Sequence, residues 1–151
     1  MRTRTILVED NQTIVDTLVP AMAELGDMEV LTVAATAREA VASLSRFSKT
    51  WQLAVVDHFL KQGSGLDVLR ACGSRRREQV VVVLTNYATE DMRQECLSLG
   101  ADAVFDKSTE LDAFFNFCAA HFRPRDDTRG TGLVREEPFS EKPSAPVSRS
   151  T

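Results

Sequence analysis

No apolar run in this chain approaches the roughly 20 residues that a membrane-crossing helix needs. The start, MRTRTILVEDN, passes from two arginines through a short apolar stretch into acids. It lacks the long apolar region of a secretory signal. Cysteine is scarce: Cys72, Cys96 and Cys118 are scattered, with no CxxC and no metal-ligand spacing. An odd set of isolated cysteines reads as reduced, partly buried thiols, so the expected location is cytoplasmic. Nor is basic charge in excess, and a net charge of −4 argues against non-specific binding to nucleic acid or acidic lipid. No nucleic-acid motif, internal repeat or GxGxxG after the first apolar run is present, and the last absence removes a dinucleotide-binding fingerprint.

What remains is the composition of a folded, water-soluble chain, 43% hydrophobic and 26% charged over 151 residues. That length suits one domain plus some spare chain. Five short β-rich apolar runs alternate with stretches of helical length. The runs are Ile6-Leu7-Val8, Glu29 to Ala35, Leu53 to Val56, Val80 to Leu84, and Ala103-Val104-Phe105. The helical stretches fall at about 12–26, 37–46, 65–73, 89–99 and 109–122. Two runs are continuously apolar, as expected of strands covered on both faces in a parallel sheet. The repeated β-then-α order is that of a doubly wound α/β sheet.

Helix faces follow from a turn of about 100° per residue. In the fifth helical stretch Leu111, Phe114, Phe115, Cys118 and Phe122 share one arc, with Phe117 on its shoulder. In the first, Ile14, Leu18, Ala21, Met22 and Leu25 form the expected inward stripe, with Val15 and Val19 to one side. The shoulder residues Val15, Val19 and Phe117 are candidate docking positions, although single exposed apolar residues are ordinary. After Phe122 the pattern stops. Residues 123–151 hold four of the five prolines, mixed charges and no periodicity, and are expected to form a disordered tail without an output domain. The domain itself spans 1–122.

Ligands of a doubly wound sheet bind beyond the carboxyl ends of its strands. Strand one ends in Glu9-Asp10, strand three in Asp57, strand four in Thr85, and strand five leads to Lys107. Taken singly, each has an ordinary reading as a cap, a strand terminator or a solvated charge. Together they make a coherent chemistry. Crowded carboxylates repel unless a cation is present, and hard oxygen ligands favour Mg²⁺. A carboxylate can act as nucleophile on an activated phosphoryl group. A metal, a lysine and a hydroxyl donor then stabilise the transferring charge.

Four segments, ILVEDN, VVDHFLKQGSGLDVL, VVVLTNYAT and GADAVFDKS, resemble the receiver domain of two-component response regulators over about residues 3–122. The resemblance implies a flavodoxin-like five-stranded parallel sheet, order 2-1-3-4-5, with five helices. It implies that Asp57 is the phospho-acceptor served by a sensor histidine kinase or histidine phosphotransfer protein. Glu9 and Asp10 would hold Mg²⁺ with Asp57 and the backbone carbonyl of Phe59. Thr85 would be the switch hydroxyl, Lys107 its cationic partner, and Gly65 the glycine after the acceptor loop. Output would pass to a protein target or homodimer through the face of the fourth helix, fifth strand and fifth helix. Neither direct nucleic-acid contact nor a membrane role is implied, and the chain would be a switch rather than an enzyme.

The sequence departs from that family at four places. Lys61 replaces a proline in the loop after the acceptor, and Ser108 replaces the proline after the lysine. A cis bond before a non-proline costs about 2.5–4 kcal/mol, which leaves the geometry of the Lys107–Ser108 bond open. Val104 stands where a switch aromatic is usual, with Phe105 beside it and expected on the opposite face. Asn86 and Tyr87 follow Thr85, where the first position is often small. Phe59 and Tyr87 are expected to crowd the path of water to the acceptor. Alternatives are the receiver half of a longer DNA-binding regulator, a phosphate-independent scaffold, and a small-molecule phosphatase. The phosphatase would want a second acid just after its nucleophile, whereas His58 and Phe59 follow Asp57.

Overall fold

Five β-strands form one parallel sheet: β1 (Thr3–Val8), β2 (Met28–Ala34), β3 (Leu53–Asp57), β4 (Val80–Thr85) and β5 (Ala103–Asp106). Their order is β2-β1-β3-β4-β5, as expected. The computed structural model describes residues 2–86 and 88–122. Tyr87 and the tail of 123–151 lie outside the described residues. Residues 2–119 make one compact unit. The connecting helices are α1 (Gln12–Gly26), α2 (Ala37–Arg46), α3 (Gly65–Ala71), α4 (Glu90–Ser98) and α5 (Leu111–Phe122).

β3 and β4 are buried along their whole length, which is why they read as unbroken apolar runs. Successive side chains alternate across the sheet. Ile6, Val8, Ala54, Val56, Val81, Val83 and Val104 pack with Ala40 and Leu44 of α2, Val68 and Leu69 of α3, and Cys96 of α4. Phe105 points the other way, its ring 6.1 Å from that of Phe114 and 5.8 Å from that of Phe117. Burying a phenylalanine such as Phe114 stabilises the fold by on the order of 1.5–3 kcal/mol.

Helix starts are capped by short polar side chains, which satisfy amides that the first turn leaves free. Asn11, Thr36, Ser64 and Thr89 each accept from a backbone N–H two or three residues on. α1 ends at Asp27, which takes a left-handed φ of 53° and donates its N–H to Met22.

The inward face of α1 differs from the expected one. Val15, Leu18 and Met22 are buried, whereas Leu25 is 71% exposed. The true stripe is rotated by about 50° from the expected one, so Val15 belongs to the core and is no docking residue. Leu18 and Met22 of the expected stripe are buried as expected; packing brings in Val15 and leaves out Leu25. α3 stops at Ala71, and the chain continues as a 3-10 turn over Cys72–Ser74, where Gly73 is a poor helix former. β2 bulges: Thr5 pairs Val30 and Ile6 pairs Thr32, so Leu31 is the extra residue. No peptide bond among the described residues is cis, the Lys107–Ser108 bond included.

Gly65 lies under the site. Its N–H donates to the His58 carbonyl at 2.9 Å. A Cβ there would run into the Asp57 carbonyl oxygen and lie 2.8 Å from the His58 Cα, both backbone atoms that cannot swing aside. Gly65→Ala is therefore expected to destabilise the protein by about 1–3 kcal/mol. A urea midpoint equal to that of wild type would show that the loop yields at no cost.

Candidate functional site

Parallel strands of matched register deliver their carboxyl ends to one edge, and the site is assembled there. β1 ends at Val8, opposite Val56 of β3, so Glu9 and Asp57 emerge side by side. Asp57 pairs with Leu84 of β4, which puts Thr85 one residue further on, and Thr85 pairs with Asp106 of β5. The Lys107 N–H donates to the Thr85 carbonyl at 2.9 Å, carrying the lysine over the same edge.

The side chains converge. The Lys107 Nζ donates to Glu9 Oε1 at 2.7 Å and to Asp57 Oδ2 at 3.1 Å. All three side chains are over nine-tenths buried. Carboxylate oxygens of Glu9, Asp10 and Asp57 lie within 4.8 Å of one another, close enough to share a metal ion. A cleft of 190 Å³ opens above them, bordered by Asn11, Ile14, Phe59 and Asn86. The donor set is all hard oxygen, which fits a magnesium ion that keeps part of its water shell. Thr85 Oγ is buried with no hydrogen-bond partner, an unmet donor at the same edge. Leaving such a group unmet costs about 1–3 kcal/mol.

Burial pushes the Asp57 carboxyl up to about 6, against the opposing pull of the Lys107 ammonium and with a further push from Glu9. The Phe59 N–H donates to Asp57 Oδ1 at 3.2 Å, so the loop after the acceptor folds back on it. Phe59 itself is 54% exposed, with its ring against that of His58 at 4.4 Å.

Two supports of the site did not come from sequence reasoning. The Asn11 N–H donates to Glu9 Oε2 at 3.1 Å while its side chain caps α1, so one residue fixes both acid and helix. The Lys61 N–H donates to Asp10 Oδ2, across the mouth of the site. Proline at position 61 would have no N–H to give. The replacement that marks a departure from the family is thus what supplies this bond, and it was the available signal.

A family model described as the response regulator receiver domain matches residues 5–117. No curated protein matches the chain. Among solved structures, the receiver domain of a putative Luxo repressor protein from Vibrio parahaemolyticus is 23% identical. It covers 80% of this chain and 90% of its own, at a TM-score of 0.68. The receiver domain of a sensor histidine kinase from Pseudomonas aeruginosa PAO1, with a magnesium ion in its active-site cleft, is 22% identical. It covers 80% and 97% at a TM-score of 0.67. CheY from Borrelia burgdorferi, in a complex with CheX, BeF3 and magnesium, is 16% identical and covers 81% and 90% at 0.72. At these identities the likeness is one of fold.

The raised carboxyl of Asp57 has a consequence for stability. A group whose folded pKa lies above its unfolded value contributes stability at low pH and loses it as pH rises through the folded value. With chelator present, wild type should lose stability relative to Asp57→Asn as pH rises through about 6. Between pH 5 and pH 8 the gap between the two proteins should move against wild type by on the order of 1–2 kcal/mol. Melting curves of both proteins between pH 5 and 8 measure this, and a constant gap across that range would contradict it.

Proposed function

The chain belongs to the response regulator receiver domain family, and from that premise we propose that Asp57 accepts a phosphoryl group from a sensor histidine kinase or histidine phosphotransfer protein. An Asp57 carboxylate oxygen forms the new bond to phosphorus as the bond from phosphorus to the donor imidazole nitrogen breaks. The observation that carries this reading is one buried ammonium shared by Asp57 and Glu9 at an edge where a buried threonine hydroxyl has no partner.

Lys107 stays beside the added negative charge and offsets it in a site of low dielectric. Thr85 Oγ donates to a phosphoryl oxygen and so gains the partner it lacks. Glu9, Asp10 and Asp57 fit a magnesium ion, and the Phe59 carbonyl would supply a further oxygen ligand. When bound, that ion neutralises charge on the transferring group. Glu9 keeps its place through Asn11, and Asp10 through Lys61.

The product is a changed surface rather than a released compound, so the chain acts as a switch for other proteins. Output through the face of α4, β5 and α5 fits the 42% exposure of Leu97 on α4. Phe117 contributes less to that face than its place on the helix wheel suggests, being half-buried against Phe105. A cytoplasmic setting accords with three free, buried cysteines, whose thiols burial pushes up to about 11, 11 and 12. No described helix is long and apolar enough to cross a membrane.

Incubation with Mg²⁺ and acetyl phosphate should add one phosphoryl group to wild type by intact mass, and none to Asp57→Ala or to wild type with chelator. Wild type without added mass would refute the reading. Phe59, exposed at the cleft, should slow the approach of water to the phosphorylated carboxyl. Phe59→Asn is then expected to shorten the phosphorylated lifetime by up to about tenfold, a barrier change near 1.4 kcal/mol. Equal lifetimes would remove that role from Phe59.

A further inference from the structure

Val104 has no ring to swing, so whatever carries a change at Thr85 to the far surface of this protein must be another group. Two residues beyond Asn86 the chain is held firmly at Ala88. Arg93, on the first turns of α4, donates from Nε to the Ala88 carbonyl at 3.1 Å. The same guanidinium donates from Nη1 to the Val104 carbonyl of β5 at 3.0 Å and from Nη2 to Glu110 Oε1 at 2.8 Å. Glu110 Oε1 also accepts the Asp106 N–H at 2.8 Å, and the Glu110 N–H returns to the Asp106 carbonyl at 2.8 Å. On its other side, the Ala88 N–H faces the Asp106 carboxylate.

One planar fork therefore joins the loop after the switch threonine, α4, the carbonyl of Val104 and the entry to α5. Arginine presents donors in fixed directions and can hold three acceptors at once, which lysine's single ammonium on a flexible stem does not reproduce. The arginine is only partly exposed, at 27%, so these bonds are poorly replaced by water. Between Thr85 and the pinned Ala88 lie just Asn86 and Tyr87. Thr85 and the residue that Arg93 holds are thus near neighbours in the chain.

Resting on the phospho-acceptor reading of Asp57, we propose that Arg93 is a positioning residue, pinning Ala88 in the unphosphorylated state and transmitting its release to β5 and α5. Phosphorylation draws Thr85 toward Asp57, strains the Ala88 contact, and the guanidinium yields its bonds to Ala88, Val104 and Glu110 together. The acceptors so released sit in the loop before α4, on β5 and at the entry to α5, beside the face where a partner reads the state. The site chemistry does not need Arg93; the link between site and surface does.

The full chain, with Mg²⁺, is titrated with beryllofluoride as a phosphoryl mimic while hydrogen exchange is followed by mass spectrometry. Wild type, Arg93→Met and Arg93→Lys are compared, with urea midpoints confirming that each is folded. In Arg93→Met, segments 88–98 and 103–111 should exchange faster before loading, and the half-saturating beryllofluoride concentration should fall about fivefold or more, the lower end of ordinary coupling. Arg93→Lys should lie between the two. Glu110→Gln, which keeps the shape but removes the ion pair, should shift in the same direction as Arg93→Met, and it decides the matter if Arg93→Met is unfolded. Half-saturation unchanged in both Arg93→Met and Glu110→Gln overturns the proposal, even if both lose stability. Wild type that loads normally while the variants match it removes the pin alone. Wild type that takes up no beryllofluoride removes the phospho-acceptor reading and the pin with it.

Discussion

Lys107 brings one positive charge to a site that buries two carboxylates with it and places a third at the rim. The rest of the structure is arranged around that imbalance. Each ion that leaves water costs several kcal/mol, and a single ammonium cannot repay two carboxylates in full. The shortfall shows at Asp57, whose carboxyl burial pushes up to about 6 despite the lysine 3.1 Å away. A site short of positive charge is one that a divalent cation completes. It is also one where an added phosphoryl group changes the balance enough to move neighbouring groups. Stability and chemistry are thus opposed at Asp57, and the buried, paired sheet beneath it supplies the margin.

That arrangement depends on register. β1, β3, β4 and β5 run parallel with their pairs in step from Thr5–Leu53 to Thr85–Asp106. A slip of one residue would turn Asp57 to the other face of the sheet and send Val56 to the edge. Continuous valine-rich burial in β3 and β4 does not by itself prevent such a slip, since both faces are apolar. The polar ends do so. In the observed register Lys107 reaches Glu9 and Asp57 together, so the ion pairs that cost stability favour that alignment over one that would part them.

Much of this could be read from the chain, for reasons that differ by element. Strands were legible because unbroken runs such as Val80 to Leu84 belong to a sheet covered on both sides. The site was legible because strand ends are fixed by the runs themselves, so Glu9, Asp57, Thr85 and Lys107 fall at one edge once the order is known. Phe105 was rightly placed across the sheet from Val104, since alternation is a local property of β5. The face of α1 was legible only in part, at Leu18 and Met22. Val15 and Leu25 are both apolar, and the choice between two neighbouring stripes is made by the sheet surface, which sequence periodicity does not contain. The Asn11–Glu9 and Lys61–Asp10 bonds were hidden for a related reason. They run from backbone amides, and an amide's direction depends on loop conformation rather than on residue type.

At Val104 a polar group takes the place that an aromatic ring would fill. A large side chain at that position would fill the space between β5 and α4. The Val104 carbonyl, on the edge strand, accepts from Arg93, a group that bonds rather than merely fills. An aromatic ring in a packed slot has two rotamers and moves with little change in polar bonding. A guanidinium holding Ala88, Val104 and Glu110 gives up charge-assisted bonds when it moves, each worth on the order of 1.5–3 kcal/mol net of exchange with water. Such a latch has discrete states for a physical reason. Its bonds share one rigid planar group, so the loss of one geometry compromises the others, and the loop, strand and helix that it joins are released as a unit.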